Sequence, residues 1–167
     1  MSPMCSSSHL LPPAAALRWR TEADTAAFAA RLAARPALRN AFVELRGELG
    51  AGKTTFVRHL LRALGVQGRV KSPTYAVVEP HETPDGLAVS HFDFYRFSDP
   101  REWADAGFRD VFAAPGLKLA EWPENAAGLL PEPDLVLRIA ALADGARAVE
   151  LTAPTPLGAR LLAEIAE

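Results

Sequence analysis

Cysteine is almost absent from this sequence. Cys5 stands alone, so no internal disulfide can form, which fits a reducing compartment. Lysine is scarce as well, with only Lys53, Lys71 and Lys118. Lysine and arginine together give 18 basic residues against 20 acidic ones, a net charge of −2. Nucleic-acid binding through bulk positive charge is therefore not indicated. No apolar run reaches the length that spans a bilayer. Residues 1–13 lack the charged segment followed by an apolar core that marks a secretory signal. The expectation is a cytoplasmic protein with no membrane association. His9, His81, His91 and Cys5 show no metal-ligand spacing, which argues against a zinc site.

What is present is ordinary in bulk and specific in one place. With 49% hydrophobic and 23% charged residues over a length of 167, the chain can build one domain with a proper core. The specific place is GELGAGKTT at 47–55, which satisfies the phosphate-loop pattern G-x-x-x-x-G-K-[ST]. A polyphosphate can be cradled by backbone N–H groups only where no side chain intervenes, and glycine permits that approach. Gly50, Ala51, Gly52, Lys53, Thr54 and Thr55 are the candidate binding residues. Lys53 brings a cation to the β- and γ-phosphates, and the Thr54 hydroxyl is a hard oxygen ligand for Mg²⁺. The setting agrees: residues 41–45 form a short β-prone run, and residues 55–64 carry helical apolar spacing.

Along the rest of the chain, residues 1–16 are rich in Ser, Pro and Ala and are expected to form a tail ahead of one domain over 17–167. Residues 17–20 suit a short edge strand. Thr21 suits a helix N-cap, with Glu22 and Asp24 in the first turn and Pro36 beyond the end. Strands are expected at 75–79, 87–94 and 117–122, and a short helix at 100–106. Segments 134–140 and 146–152 suit an antiparallel pair, followed by a helix over 156–166. Interleaved strands and helices predict a single α/β P-loop NTPase domain. Its mixed sheet would have parallel core strands, a C-terminal antiparallel hairpin and helices on both faces.

A phosphate loop hydrolyses nothing alone; it needs an acid for the metal and a group that senses the γ-phosphate. Asp93 and Glu121 both end apolar strands, where nucleotides bind in parallel sheets, and either could face the metal. Thr74, in the SPTY segment at 72–75, is the candidate switch hydroxyl. Trp122 reads most simply as a core aromatic. His59 reads as part of a solvated helix face with Arg58 and Arg62, and Arg96 as either a phosphate contact or a strand-end cap. None of the three lysines is followed two residues later by Asp, so the guanine-reading segment is missing and ATP is expected rather than GTP.

With these segments in view, the chain resembles the TsaE (YjeE) family of bacterial P-loop ATPases required for threonylcarbamoyladenosine in tRNA. The matching stretches are GELGAGKTTF at 47–56, VKSPTY at 70–75, HFDFYR at 91–96 and EWPE at 121–124. The resemblance implies ATP on the loop at 50–55, with Mg²⁺ near Thr54 and Glu121. It also implies Asp93 as the Walker B acid, Thr74 as the switch threonine, and an adenine end approached by Thr21 and Glu22. Catalytic roles would fall to Lys53, Asp93, Glu121 and Thr74. The implied partners are TsaD and TsaB, which carry out the transfer to tRNA. Contact with tRNA would then be indirect, through that complex. On the residues there is no clear built-in arginine finger, with Arg96 the remaining candidate, so weak ATP hydrolysis by the isolated chain is expected. Two other classes compete on the residues. A P-loop small-molecule kinase would need a lid rich in arginine, and the late arginines are scattered. A nucleotide-gated binding module would need ATP bound but not hydrolysed.

Overall fold

The computed structural model describes residues 12–68, 77–105 and 107–165. Thr74, Tyr75, Arg69, Lys71, Cys5 and His9 lie outside them. In chain order the elements are β1 (Ala14–Trp19), α1 (Glu22–Ala33), β2 (Phe42–Arg46), α2 (Lys53–Ala63), β3 (Val78–Glu82) and β4 (Ala88–Asp93). There follow α3 (Pro100–Asp105), α4 (Phe108–Ala113), β5 (Leu117–Glu121), β6 (Leu135–Ala141), β7 (Arg147–Thr152) and α5 (Pro156–Ile165).

The strands form one seven-stranded sheet in the order β1-β7-β6-β2-β5-β4-β3. Its core is parallel: β2 pairs with β5 and β6, and β4 pairs with β5. Antiparallel strands extend both sides, β7 on β6 with β1 beyond it, and β3 on β4. The mixed sheet and terminal hairpin thus follow the sequence expectation. The first strand begins earlier than expected: Ala14, Ala15 and Ala16, which composition assigns to the tail, pair with Thr152, Leu151 and Glu150. A row of small residues carries no strand signal, and the ladder to β7 decides the matter.

Helix α1 starts where its caps dictate. Thr21 is the N-cap, and the Asp24 carboxylate accepts the backbone N–H of Arg20 at 2.8 Å. Phe28, Ala29 and Leu32 are its buried stripe, and Pro36 opens a 3-10 turn (Pro36–Asn40) after it. Helix α2 buries Phe56, Val57, Leu60 and Leu61, the spacing of one helical face. These stripes, with Leu161 and Leu162 of α5, pack on Val43, Leu45, Leu119 and Leu137. The opposite face is aromatic: Phe92, Phe94, Phe97, Trp103 and Phe108 pack together. The centroids of Phe92 and Phe108 are 5.4 Å apart in an edge-on pair. Helix α4 was not legible in the sequence. It has only six residues and follows Gly107, whose φ of 71° separates it from α3.

This arrangement sets three strand ends side by side. Strands β2, β5 and β4 are neighbours and run the same way, so Arg46, Glu121 and Asp93 finish at one edge. The loop into α2 leaves from the end of β2.

Candidate nucleotide site

The loop after β2 must turn against a neighbouring backbone. Gly47 has φ 151°, and a Cβ placed there would lie 2.3 Å from the carbonyl oxygen of Ile139 on β6. Glycine is required by space as well as by conformation. Within the loop the N–H of Ala51 donates to the Glu48 carbonyl at 3.0 Å. Gly52, with φ 114°, then delivers the chain into α2. The first turn of α2 therefore presents Lys53, Thr54 and Thr55 at a positive helix end.

Lys53 is buried, and its ammonium donates to the carbonyl of Gly47. It lies 3.5 Å from the ring centroid of Trp122, close enough for a cation–π contact. Burial lowers its pKa, opposed by the negative charges of Glu121, Glu124, Asp93 and Glu48. Trp122 is thus more than a core residue. It packs at the margin of the aromatic cluster, lies beneath Lys53, and sits 4.9 Å from the ring of Tyr95. Its φ of 55° is the only positive value among the described non-glycine residues.

The two acids meet as strand partners, Asp93 opposite Glu121. The Thr54 hydroxyl donates to Glu121 Oε1 at 2.9 Å, and His91 Nε2 lies 2.6 Å from Glu121 Oε2. Asp93 Oδ1 accepts the Tyr95 N–H at 3.0 Å. Its pKa is raised, mainly by burial and also by Glu121, against the lowering influence of the Tyr95 N–H, of the neighbouring His91 and of the Lys53 ammonium. Between the two acids, Thr54 singles out Glu121. In the sequence His91 opens the matching stretch at 91–96 and shows no zinc-ligand spacing, and neither observation assigns it a contact with Glu121. Alternation along β4 was the signal, since residues 91 and 93 must share a face.

A cavity of about 130 Å³ adjoins the loop. Trp19, Thr21, Glu22 and Thr25 line it on one side, and Gly52, Thr55, Gly145 and Arg147 on the other. Glu22, expected near the nucleoside end, does reach this cavity. It also pairs with His59 at 2.8 Å, so His59 ties α2 to α1 rather than simply facing solvent. The sequence offers Arg147 only as one of the scattered late arginines, because only the β6–β7 turn brings it here. Its Nη1 donates to the Gly145 carbonyl at 3.1 Å, and its Nε lies 3.5 Å from where a Cβ on Gly52 would stand. Gly50, Ala51, Lys53, Thr54, Thr55, Asp93 and Glu121 are thus gathered at one end of the sheet.

The donors available there are hard oxygens: the Thr54 hydroxyl and the carboxylates of Glu121 and Asp93. No group of three or more His, Cys, Asp and Glu residues is arranged to hold a metal among the described residues. That set suits Mg²⁺, which takes one or two carboxylates and completes its shell with phosphate and water. Among the described residues no helix is long and apolar enough to cross a membrane.

Comparison with known proteins agrees with this geometry. The family model for "Threonylcarbamoyl adenosine biosynthesis protein TsaE" matches residues 19–149. The tRNA threonylcarbamoyladenosine biosynthesis protein TsaE of Haemophilus influenzae is 46% identical over 120 residues, covering 72% of this chain and 75% of that protein. The protein of the same name from Bacillus subtilis is 36% identical over 140 residues, covering 82% and 85%. Among solved structures, Bacillus subtilis YdiB superposes with a TM-score of 0.75 at 27% identity, over 95% of this chain and 97% of that one.

Proposed function

The chain belongs to the TsaE family, and on that premise we propose that it is a Mg²⁺-dependent ATPase acting in threonylcarbamoyladenosine modification of tRNA. Its target is the TsaB–TsaD complex, which performs the transfer itself, so its contact with tRNA is indirect and its place is the cytoplasm. The observation that carries this reading is the convergence of the loop, Lys53 and the Thr54–Glu121 contact at the ends of β2 and β5. ATP is the expected nucleotide because the sequence lacks a guanine-reading segment.

Each residue then has a role. The backbone from Gly50 to Thr55 wraps the phosphates, and Lys53 moves from the Gly47 carbonyl onto them. Thr54 and Glu121 hold Mg²⁺, which when bound neutralises charge building on the phosphate oxygens. Asp93 supports the same site and orients water, and Thr74 senses the γ-phosphate. Glu22 and Arg147 flank the nucleoside end. The sequence offers no clear built-in arginine finger, with Arg96 as the remaining candidate, so turnover alone is expected to be slow and to depend on the partners.

The test is steady-state ATP hydrolysis by the chain alone and with its cognate TsaB–TsaD pair, for wild type and Lys53→Ala. Stimulation by the pair that disappears in the variant supports the proposal. Hydrolysis equally fast without the pair, or untouched by Lys53→Ala, would sink it.

A further inference from the structure

The buried ring of His91 has no role in the function just proposed, yet among the described residues it makes one pointed polar contact. Its side chain is fully buried, where an aliphatic residue would fill the space without carrying polar nitrogens into the core. Its Nδ1 has no hydrogen-bond partner among the described residues. Its Nε2 lies 2.6 Å from Glu121 Oε2. A carboxylate oxygen can only accept, so Nε2 carries the proton in this contact. The other oxygen of the same carboxylate takes the Thr54 hydroxyl at 2.9 Å. Glu121 is therefore held on both oxygens.

We propose that His91 is a positioning residue for the metal-binding carboxylate, its Nε2–H holding Glu121 Oε2 so that the carboxylate stays turned toward Thr54 and the cation. The inference rests on Glu121 being the metal ligand of the proposed ATPase. Two neighbouring strands supply the parts. Asp93 pairs with Glu121 across the β4–β5 ladder, and His91, two residues back on β4, shares the face of Asp93. Partners that orient a metal ligand commonly govern metal affinity about 10- to 100-fold.

The experiment measures Mn²⁺ binding to the protein–ADP complex by electron paramagnetic resonance, for wild type, His91→Leu and His91→Gln. ADP affinity in EDTA is measured in parallel. His91→Leu should weaken Mn²⁺ binding about tenfold or more with ADP affinity in EDTA unchanged. His91→Gln keeps an N–H donor near the same place and should retain most of the Mn²⁺ affinity. Wild-type binding by His91→Leu, or equal losses in both variants, overturns the inference. Imidazole ¹⁵N spectra of the wild type test it without any substitution. The Nε2–H tautomer is expected, and an Nδ1–H tautomer overturns it. If the wild-type complex itself binds no Mn²⁺, the assignment of Glu121 falls and the inference falls with it. Normal wild-type binding with an indifferent His91→Leu rejects only the positioning role.

Discussion

Gly47→Ala is the substitution whose effect follows most directly from the structure. Two penalties act at that position. The backbone φ of 151° is nearly closed to residues with a Cβ, and strain of that kind costs about 1–3 kcal/mol. The new methyl would also lie 2.3 Å from the Ile139 carbonyl and 3.2 Å from Ala51 Cβ. Backbone of a central strand cannot swing aside as a flexible side chain can, so the loop must shift, at a further cost of about 1–3 kcal/mol. A total near 4 kcal/mol lowers Tm by about 8–16 °C for a chain of this size. Gly50→Ala is the internal control. Its φ of 82° carries strain, but a Cβ there meets nothing within 4 Å, so about 1–2 kcal/mol is expected.

Urea unfolding of both variants, followed by circular dichroism, separates the two terms. The displaced loop should also move the Gly47 carbonyl that holds Lys53. ATP affinity of Gly47→Ala should therefore fall even at temperatures where the variant is fully folded. Equal stability of the two variants would refute the close-approach argument, since of these two glycines Gly47 alone faces a neighbouring backbone.

Asp93→Asn should leave the free protein at least as stable as wild type at pH 7 while abolishing ATP hydrolysis. The folded pKa of Asp93 is raised, so its ionised form is a liability that the amide removes, and the Asn oxygen still accepts the Tyr95 N–H. The stability advantage should shrink as pH falls through the raised value toward 3.8, where the unfolded carboxyl is also protonated; urea midpoints at pH 7 and pH 4 check the sign. Arg147→Ala should weaken ATP binding about tenfold by calorimetry, on the scale of one charged hydrogen bond, and leave stability unchanged. Phe108→Ala removes a buried ring that touches Phe92, Phe94 and Trp103, at a cost of about 3–5 kcal/mol. Thermal unfolding should show that loss with ATP affinity at low temperature intact, because Phe108 lies on the sheet face opposite α2.

The site divides into residues whose chemistry is dictated by their own stretch of chain and residues recruited across the sheet. The phosphate loop belongs to the first kind. Glycines, a lysine and a threonine in that order between a β-prone run and a helical stripe leave little freedom, so the loop, β2 and α2 were all legible. Asp93 and Glu121 were legible as strand-end acids but not as a pair, because the ladder between β4 and β5 is a long-range fact. Once they are adjacent, the Thr54 contact distinguishes them. Arg147 belongs wholly to the second kind, reaching Gly52 only because β7 folds back on β6. Trp122 shows the division within one residue. Regular alternation after Glu121 assigns its ring to the aromatic face that holds Ala120, which is why it reads as core. The chain leaves β5 at that point with a φ of 55°, and the indole comes to lie under Lys53 while keeping one edge on the cluster. A residue that breaks alternation at the end of a buried strand is therefore the one whose local pattern says least about its neighbours. Here those neighbours are the lysine of the site and Tyr95.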